Sequence, residues 1–151
     1  MAQDSDWAYA AGVMDSDGCI GIGKEAHQNM PHPYYFRVNI RVAQTELGAL
    51  TWFKETFGGN IYIQNQPSEN YQGKVCYCWT SRKRIVITEF LNGILPYLKI
   101  KRQQAETCLS FYEHVINHRA RKNITKVERQ AQEILCAKAQ ELNTCHKGNK
   151  E

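Results

Sequence analysis

Ala10-Ala11-Gly12-Val13-Met14-Asp15-Ser16-Asp17-Gly18 is the stretch on which the fold turns. With Ala8 it is rich in small residues, and it follows Asp4 and Ser5, either of which can cap a helix. A helix is expected from about Asp6 to Asp15, with Gly18 as its stop. The end of the stretch breaks a local rule. Two carboxylates stand at a helix C-terminus, where the macrodipole is negative and the last carbonyls lack intrahelical partners. Such violations concentrate at functional sites. A divalent cation reverses the sign, because a carboxylate beside unpaired carbonyls is hard oxygen ligation suited to Mg²⁺. An Asx turn closing the helix accounts for the same residues without a metal. A phosphate cradle does not: Gly18-x-x-Gly21-x-Gly23 follows a helix, not a strand, with its glycines in the wrong order for a dinucleotide fingerprint.

Outward from this stretch the chain alternates cleanly. Ile20 and Ile22 interleave with small or polar residues as a first strand, and Gln28 to Pro33, with Pro31 and Pro33, is a turn. Phe36, Val38, Ile40 and Val42 then alternate strictly with Tyr35, Arg37, Asn39 and Arg41, one face apolar and the other polar and basic. Thr45 caps a second helix with a stripe of Leu47, Leu50, Phe53 and Phe57, ended by Gly58-Gly59. Ile61 and Ile63 alternate with Tyr62, Gln64 and Gln66 in a third strand. Pro67 to Gly73 is a loop, and Val75 to Thr80 is a fourth strand. Ser81 caps a helix to about Leu91, stopped near Asn92-Gly93. Ala105, Cys108, Leu109, Tyr112, Val115 and Ile116 mark a longer one. Thr125-Lys126-Val127-Glu128 is a capping box that opens a last helix to about Leu142.

The order α-β-β-α-β-β-α predicts an α+β fold: a four-stranded antiparallel sheet with helices on one face, the other face open, and helices added at the C-terminus. A single domain is expected over residues 1–151, with a core at about 5–118 and a helical extension at about 119–145. Nothing repeats internally, so any two-fold arrangement requires two chains.

Composition bounds the function. At 151 residues, 42% apolar and 23% charged, the chain has ordinary globular composition rather than that of a disordered one. No run approaches the roughly 20 apolar residues of a membrane span, and Met1 to Asp6 is acidic, so no membrane helix, secretory signal or transit peptide is expected. That predicts action where the chain is made: an organelle matrix (chloroplast or mitochondrion) if organelle-encoded, otherwise the cytoplasm or nucleoid. Of the six cysteines, Cys76 and Cys78 form a C-x-C with no second pair at finger spacing. Cys108 with His114 and His118 has ligand types without a full ligand count, so reduced structural cysteines are expected. The net charge of +4 hides an asymmetry. Residues 1–73 carry four basic and eight acidic side chains, a net −4, whereas residues 74–129 carry twelve and four, a net +8. A basic block in a folded domain points to an anionic partner, nucleic acid before membrane.

Residues Ala10 to Gly18 resemble the nonapeptide that names the LAGLIDADG homing endonucleases, identical at five of nine positions. Trp7, Tyr9, Cys19 and Ile20 suit the flanks, and the element order read independently is that family's fold, so the resemblance covers about the first 118 residues. A single motif in a chain of this size resembles the homodimeric branch, in which motif helices pack together through small residues; here these are Ala8, Ala11 and Gly12, for which ordinary core packing is the alternative. The resemblance implies Mg²⁺-dependent cleavage of both strands of a long pseudo-palindromic DNA, with Mn²⁺ or Ca²⁺ able to occupy the same site. It makes Asp17 the metal-binding acid, the Ser16 carbonyl its backbone ligand, and Asp15 the support of the helix end. Gln44 matches the water-positioning residue, and Lys101, in Leu95 to Lys101, matches the active-site lysine. A basic residue that smaller members carry early in the second helix is replaced by Gly48 or Ala49, with Lys99 or Arg102 as the candidate substitutes. The alternative function is an RNA-splicing maturase or a catalytically degenerate nucleic-acid-binding relative.

Strand alternation selects the residues that face DNA. These are Glu25 and His27; Tyr35, Arg37, Asn39 and Arg41; Tyr62, Gln64 and Gln66; and Tyr77 and Trp79, unless Cys76 and Cys78 face out instead. A strand of nine or ten residues spans roughly 30 Å, so a ribbon from each chain can follow the major groove for about ten base pairs. Lys83 and Arg121 are expected to touch phosphates. Arg119, Lys122 and Lys126 either join them or belong to a tail that packs behind the sheet.

Overall fold

A computed structural model describes residues 1–29, 32–114 and 124–144. The elements are α1 (Asp4–Asp17), β1 (Gly18–Ala26), β2 (Tyr34–Gln44), α2 (Leu47–Phe57), β3 (Asn60–Asn65), β4 (Cys76–Ser81), α3 (Arg84–Ile94), α4 (Arg102–His114) and α5 (Lys126–Thr144). A 3₁₀ turn at Leu95–Tyr97 follows α3. The four strands form one antiparallel sheet in the order β1-β2-β4-β3, the α+β architecture that the alternation pattern predicts.

Four helix ends differ from expectation. The cap of α1 is Gln3, whose N–H donates to the Asp6 carboxylate at 2.8 Å, so Asp4 and Ser5 are already helical. Helix α2 starts at Leu47 behind Glu46, and Thr45 lies outside it. Helix α3 begins at Arg84, because Ser81 still belongs to β4, and it runs through Asn92-Gly93 to Ile94. Gly93 is not a stop. A Cβ there would lie 2.5 Å from the Trp7 ring, so glycine serves the close packing of α1 on α3.

The chain falls into two compact units, each built from separate segments. The first comprises Met1–Cys19 and Asn39–Lys101. Its core is aromatic: Phe53, Trp79 and Phe90 meet pairwise with ring centroids 5.1–6.1 Å apart, and Phe57 bridges Phe90 to Trp7. Gly58 (φ 79°) and Gly59 (φ 90°) turn the chain from α2 into β3, which side chains with a Cβ resist. The Trp79 indole N–H donates to the Gly58 carbonyl at 2.8 Å and closes this corner.

The second unit comprises Ile20–Val38 and Arg102–Glu151. Ile20, Ile22, Phe36 and Val38 are buried in it, as are Ala105, Cys108 and Phe111 of α4 and Cys136 and Ala139 of α5. Thr125 and Glu128 cap α5 reciprocally, as their spacing predicts. The C-terminal helix packs on β1: Asn143 donates to the Ile20 carbonyl at 3.1 Å and the Cys136 thiol to the Ile22 carbonyl at 3.4 Å. Tyr34 is gripped by two cations, Lys24 at 4.9 Å and Arg129 at 4.6 Å from its ring centroid, and its hydroxyl donates to Glu133. Lys126 is exposed at the start of α5, while Arg119, Arg121, Lys122 and His118 lie outside the described residues. Cys19, Cys76, Cys78, Cys108 and Cys136 are free thiols. No helix among the described residues is long and apolar enough to cross a membrane.

Candidate active site and the open sheet face

The acidic end of α1 resolves into two unlike carboxylates. Asp15 is clasped by the segment after the 3₁₀ turn: its oxygens accept the backbone N–H groups of Lys99 (2.8 Å), Ile100 (3.2 Å) and Lys101 (3.0 Å). The same segment returns a cation. Lys101 Nζ donates to the carbonyls of Met14 (2.8 Å) and Gly18 (2.6 Å) and so places positive charge where the helix dipole is negative. The misplaced charge of Asp15 is thereby answered within the chain, without a metal.

Asp17 lacks such a clasp. It is exposed, and Gln44 Nε2, at the end of β2, donates to its Oδ2 at 2.7 Å. Ser16 is exposed beside it, its hydroxyl turned back to the Val13 carbonyl at 3.2 Å. Asp17, Gln44 and Lys101 thus gather about one helix end. Two of the three Lys101 donors are engaged in capping that helix. At the gap in the motif, Gly48 is exposed, and a Cβ there would meet nothing within 4 Å. Lys99 is exposed, whereas Arg102 is paired with Glu106 at 3.2 Å.

A metal finds only part of a ligand set here. No group of three or more His, Cys, Asp or Glu side chains that could hold an ion occurs among the described residues. Cys108 is fully buried while His114 is exposed, which removes that pair as a site. One exposed carboxylate beside helix-terminal carbonyls is hard oxygen ligation of the kind that suits Mg²⁺ or Ca²⁺, short of a full set within one chain.

Small residues of α1 divide between two faces. Ala11 is fully buried with Ala10 and Met14 in the chain's own core, which corrects its expected place at a surface. Ser5, Ala8, Gly12 and Ser16 form the exposed stripe, and a Cβ on Gly12 would meet nothing within 4 Å.

The open sheet face is corrected in two strands. Paired residues of antiparallel strands share a face. Trp79 pairs with Val42 and Ile61, and Tyr77 with Gln44 and Ile63, so both lie on the face opposite Arg41; Trp79 is fully buried in the aromatic core. Cys76, Cys78 and Thr80 lie on the Arg41 side instead, Cys78 fully buried there and the other two half-buried. The sequence hid this because cysteine and the aromatics are equally at home in a core. In β3 the register slips after Ile63: Ile63 pairs with Tyr77, but Asn65, not Gln64, pairs with Cys76. Gln66 falls beyond the strand's end. Tyr62 stands beside Cys78, and hydrogen bonding to that thiol, followed by partial burial, pushes its phenol above the ordinary range.

On the longer strands Asn39 and Arg41 are exposed as predicted, and Lys83 is exposed just before α3. Arg37 is ion-paired with Glu25 at 3.1 Å. Tyr35 on β2 is corrected as well: only 5% of it is exposed, and the His27 and His32 rings pack edge-on against it.

No protein-family model matches the sequence, and no curated relative matches it. Solved structures do. The homing endonuclease I-CvuI, in complex with the I-CreI target, superposes with a TM-score of 0.76 at 22% identity, over 98% of this chain and 87% of that one. The archaeal intron-encoded homing endonuclease I-Vdi141I, complexed with DNA, gives 0.75 at 14% identity over 93% and 86%. The homing endonuclease I-TnaI gives 0.71 at 15% identity over 95% of each chain. The protein has the LAGLIDADG homing-endonuclease fold.

Proposed function

We propose that the protein is a homodimeric, site-specific DNA endonuclease that cuts both strands of a long pseudo-palindromic target and depends on Mg²⁺ or a similar divalent cation. The observation that carries this is the contrast at the end of α1: Asp15 is fully used by the fold, whereas Asp17 is exposed and touched by Gln44. Asp17 and the Ser16 carbonyl would hold the cation together with the same groups of a second copy. A cation held by those residues would supply charge stabilisation to the attacking and leaving oxygens of a phosphodiester displacement. Gln44, its amide nitrogen committed to Asp17, keeps its carbonyl oxygen free to accept a hydrogen bond from the attacking water and so orient it. Lys101 holds the helix end and brings positive charge toward the phosphate. The solved neighbours support this through their complexes, since I-CvuI was crystallised with its target in the presence of Ca.

Incubation with a randomised DNA library and Mg²⁺, scored for double-strand breaks, tests the proposal. A single cut motif with two-fold symmetry is the expected product, and Asp17→Asn should abolish it while leaving binding nearly intact, since affinity comes from phosphate contacts spread over the surface. Substantial cutting by Asp17→Asn would sink the assignment of that residue. Tight binding of RNA with no DNA cleavage would favour a maturase.

A further inference from the structure

The slip in β3 has a use that a regular strand cannot provide. Along an unbroken strand, residues sharing a face are two apart, about 6.6–6.8 Å, which spans two base steps. Between Ile63 and Asn65 the chain inserts one residue against β4, so Gln64 and Asn65 together stand opposite Cys76. Cys76 shares its face with Cys78 and hence with Tyr62, the open face of the sheet. Both amide residues are exposed. Consecutive Cα atoms are about 3.8 Å apart, close to the 3.4 Å rise per base of DNA.

We infer that the bulge presents Gln64 and Asn65 side by side as a double-amide reading unit for two consecutive A·T pairs in each half of the target. This rests on the DNA-binding function proposed above. Each amide carries a donor and an acceptor and can bond the adenine edge through N6 and N7, the pairing that glutamine and asparagine make in the major groove. Strict alternation would instead present Gln64 and Gln66, two base steps apart, with Asn65 turned away. The bulge brings Asn65 onto the reading face and leaves Gln66 outside the strand.

The test is a base-preference profile from duplex-library selection, using Asp17→Asn protein so that bound DNA is not cut. The parent profile should contain two adjacent A·T-preferring positions in each half-site. Gln64→Ala should flatten one and Asn65→Ala its neighbour, each losing about tenfold or more of discrimination, while Gln66→Ala leaves the profile unchanged. These side chains are exposed, so equal melting temperatures for the three variants check that folding is intact. Flattening by Gln66→Ala but not by Asn65→Ala would overturn the proposal, as would two affected positions that are not adjacent. A flat parental profile would remove the DNA function itself, a different and separable failure.

Discussion

One residue separates Asp15, whose carboxylate receives three backbone N–H groups, from Asp17, whose carboxylate receives one side-chain amide. Replacing Asp15 by alanine strands those three backbone donors, at a cost of about 1–3 kcal/mol. Chemical denaturation should therefore separate the pair: Asp15→Ala unfolds at lower denaturant, and Asp17→Asn unfolds with the parent. Equal midpoints for parent and Asp15→Ala would show that the clasp contributes nothing. Cys136 gives a pH prediction. Burial pushes its thiol up, with Lys24 opposing more weakly. A folded-state pKa above the unfolded value means that the native state keeps the proton longer. Its stabilisation is thus complete below the unfolded thiol pKa, about 8.5, and is lost as pH rises through the folded value. Cys136→Ala should lower stability overall but make the alkaline decline shallower than the parent's. An equally steep decline in both would count against a titrating Cys136.

At the scale of elements, the α2–β3 corner is the least forgiving. Gly59 has φ 90°, and a Cβ there would lie 2.8 Å from the Thr80 carbonyl and from the Trp79 indole nitrogen. Gly59→Ala strains the backbone and pushes on a fully buried Trp79, so a loss of several kcal/mol is expected, on the order of 2–4. Melting with tryptophan fluorescence as the readout checks it; a parental midpoint would show that the corner adapts. Strand and helix identities were legible because Phe36 to Val42 alternates with period two and Thr125 to Glu128 is a complete capping box. The site was legible through one violated rule, two acids at a helix end. What the sequence concealed was set by tertiary contact. Asn92-Gly93 has the form of a stop, yet Gly93 is small because Trp7 lies on it. Tyr77 and Trp79 alternate with Cys76 and Cys78, and only the pairing with Val42 decides which set is covered. The bulge leaves no mark in the alternation of Ile61, Ile63 and their neighbours. Lys101 as a helix cap was invisible because its partners, Met14 and Gly18, lie 87 and 83 residues away.

For the whole molecule, the exposed stripe of α1 carries the proposed two-fold contact. Gly12 is open to solvent within one chain, so a larger side chain costs the monomer nothing sterically and improves helix propensity by nearly 1 kcal/mol. Across a close helix pair the same side chain is an obstruction. Gly12→Leu should sediment as a monomer at concentrations where the parent is a dimer, with unchanged far-ultraviolet circular dichroism and no double-strand cutting. A dimeric Gly12→Leu that still cuts would show that the chains associate elsewhere.

The clasp on Asp15 also fixes when the site can exist. Its donors lie 84 to 86 residues downstream, and synthesis proceeds from the N-terminus at about 5–20 residues per second. For several seconds the acidic helix is therefore present in the nascent chain with its end unsecured, and the residues that will secure it are not yet made. Asp17 acquires a firmly anchored base only after Lys101 has cleared the ribosome. For the proposed endonuclease, the end of α1 that would hold the cation is thus secured only after every residue of the sheet has been made.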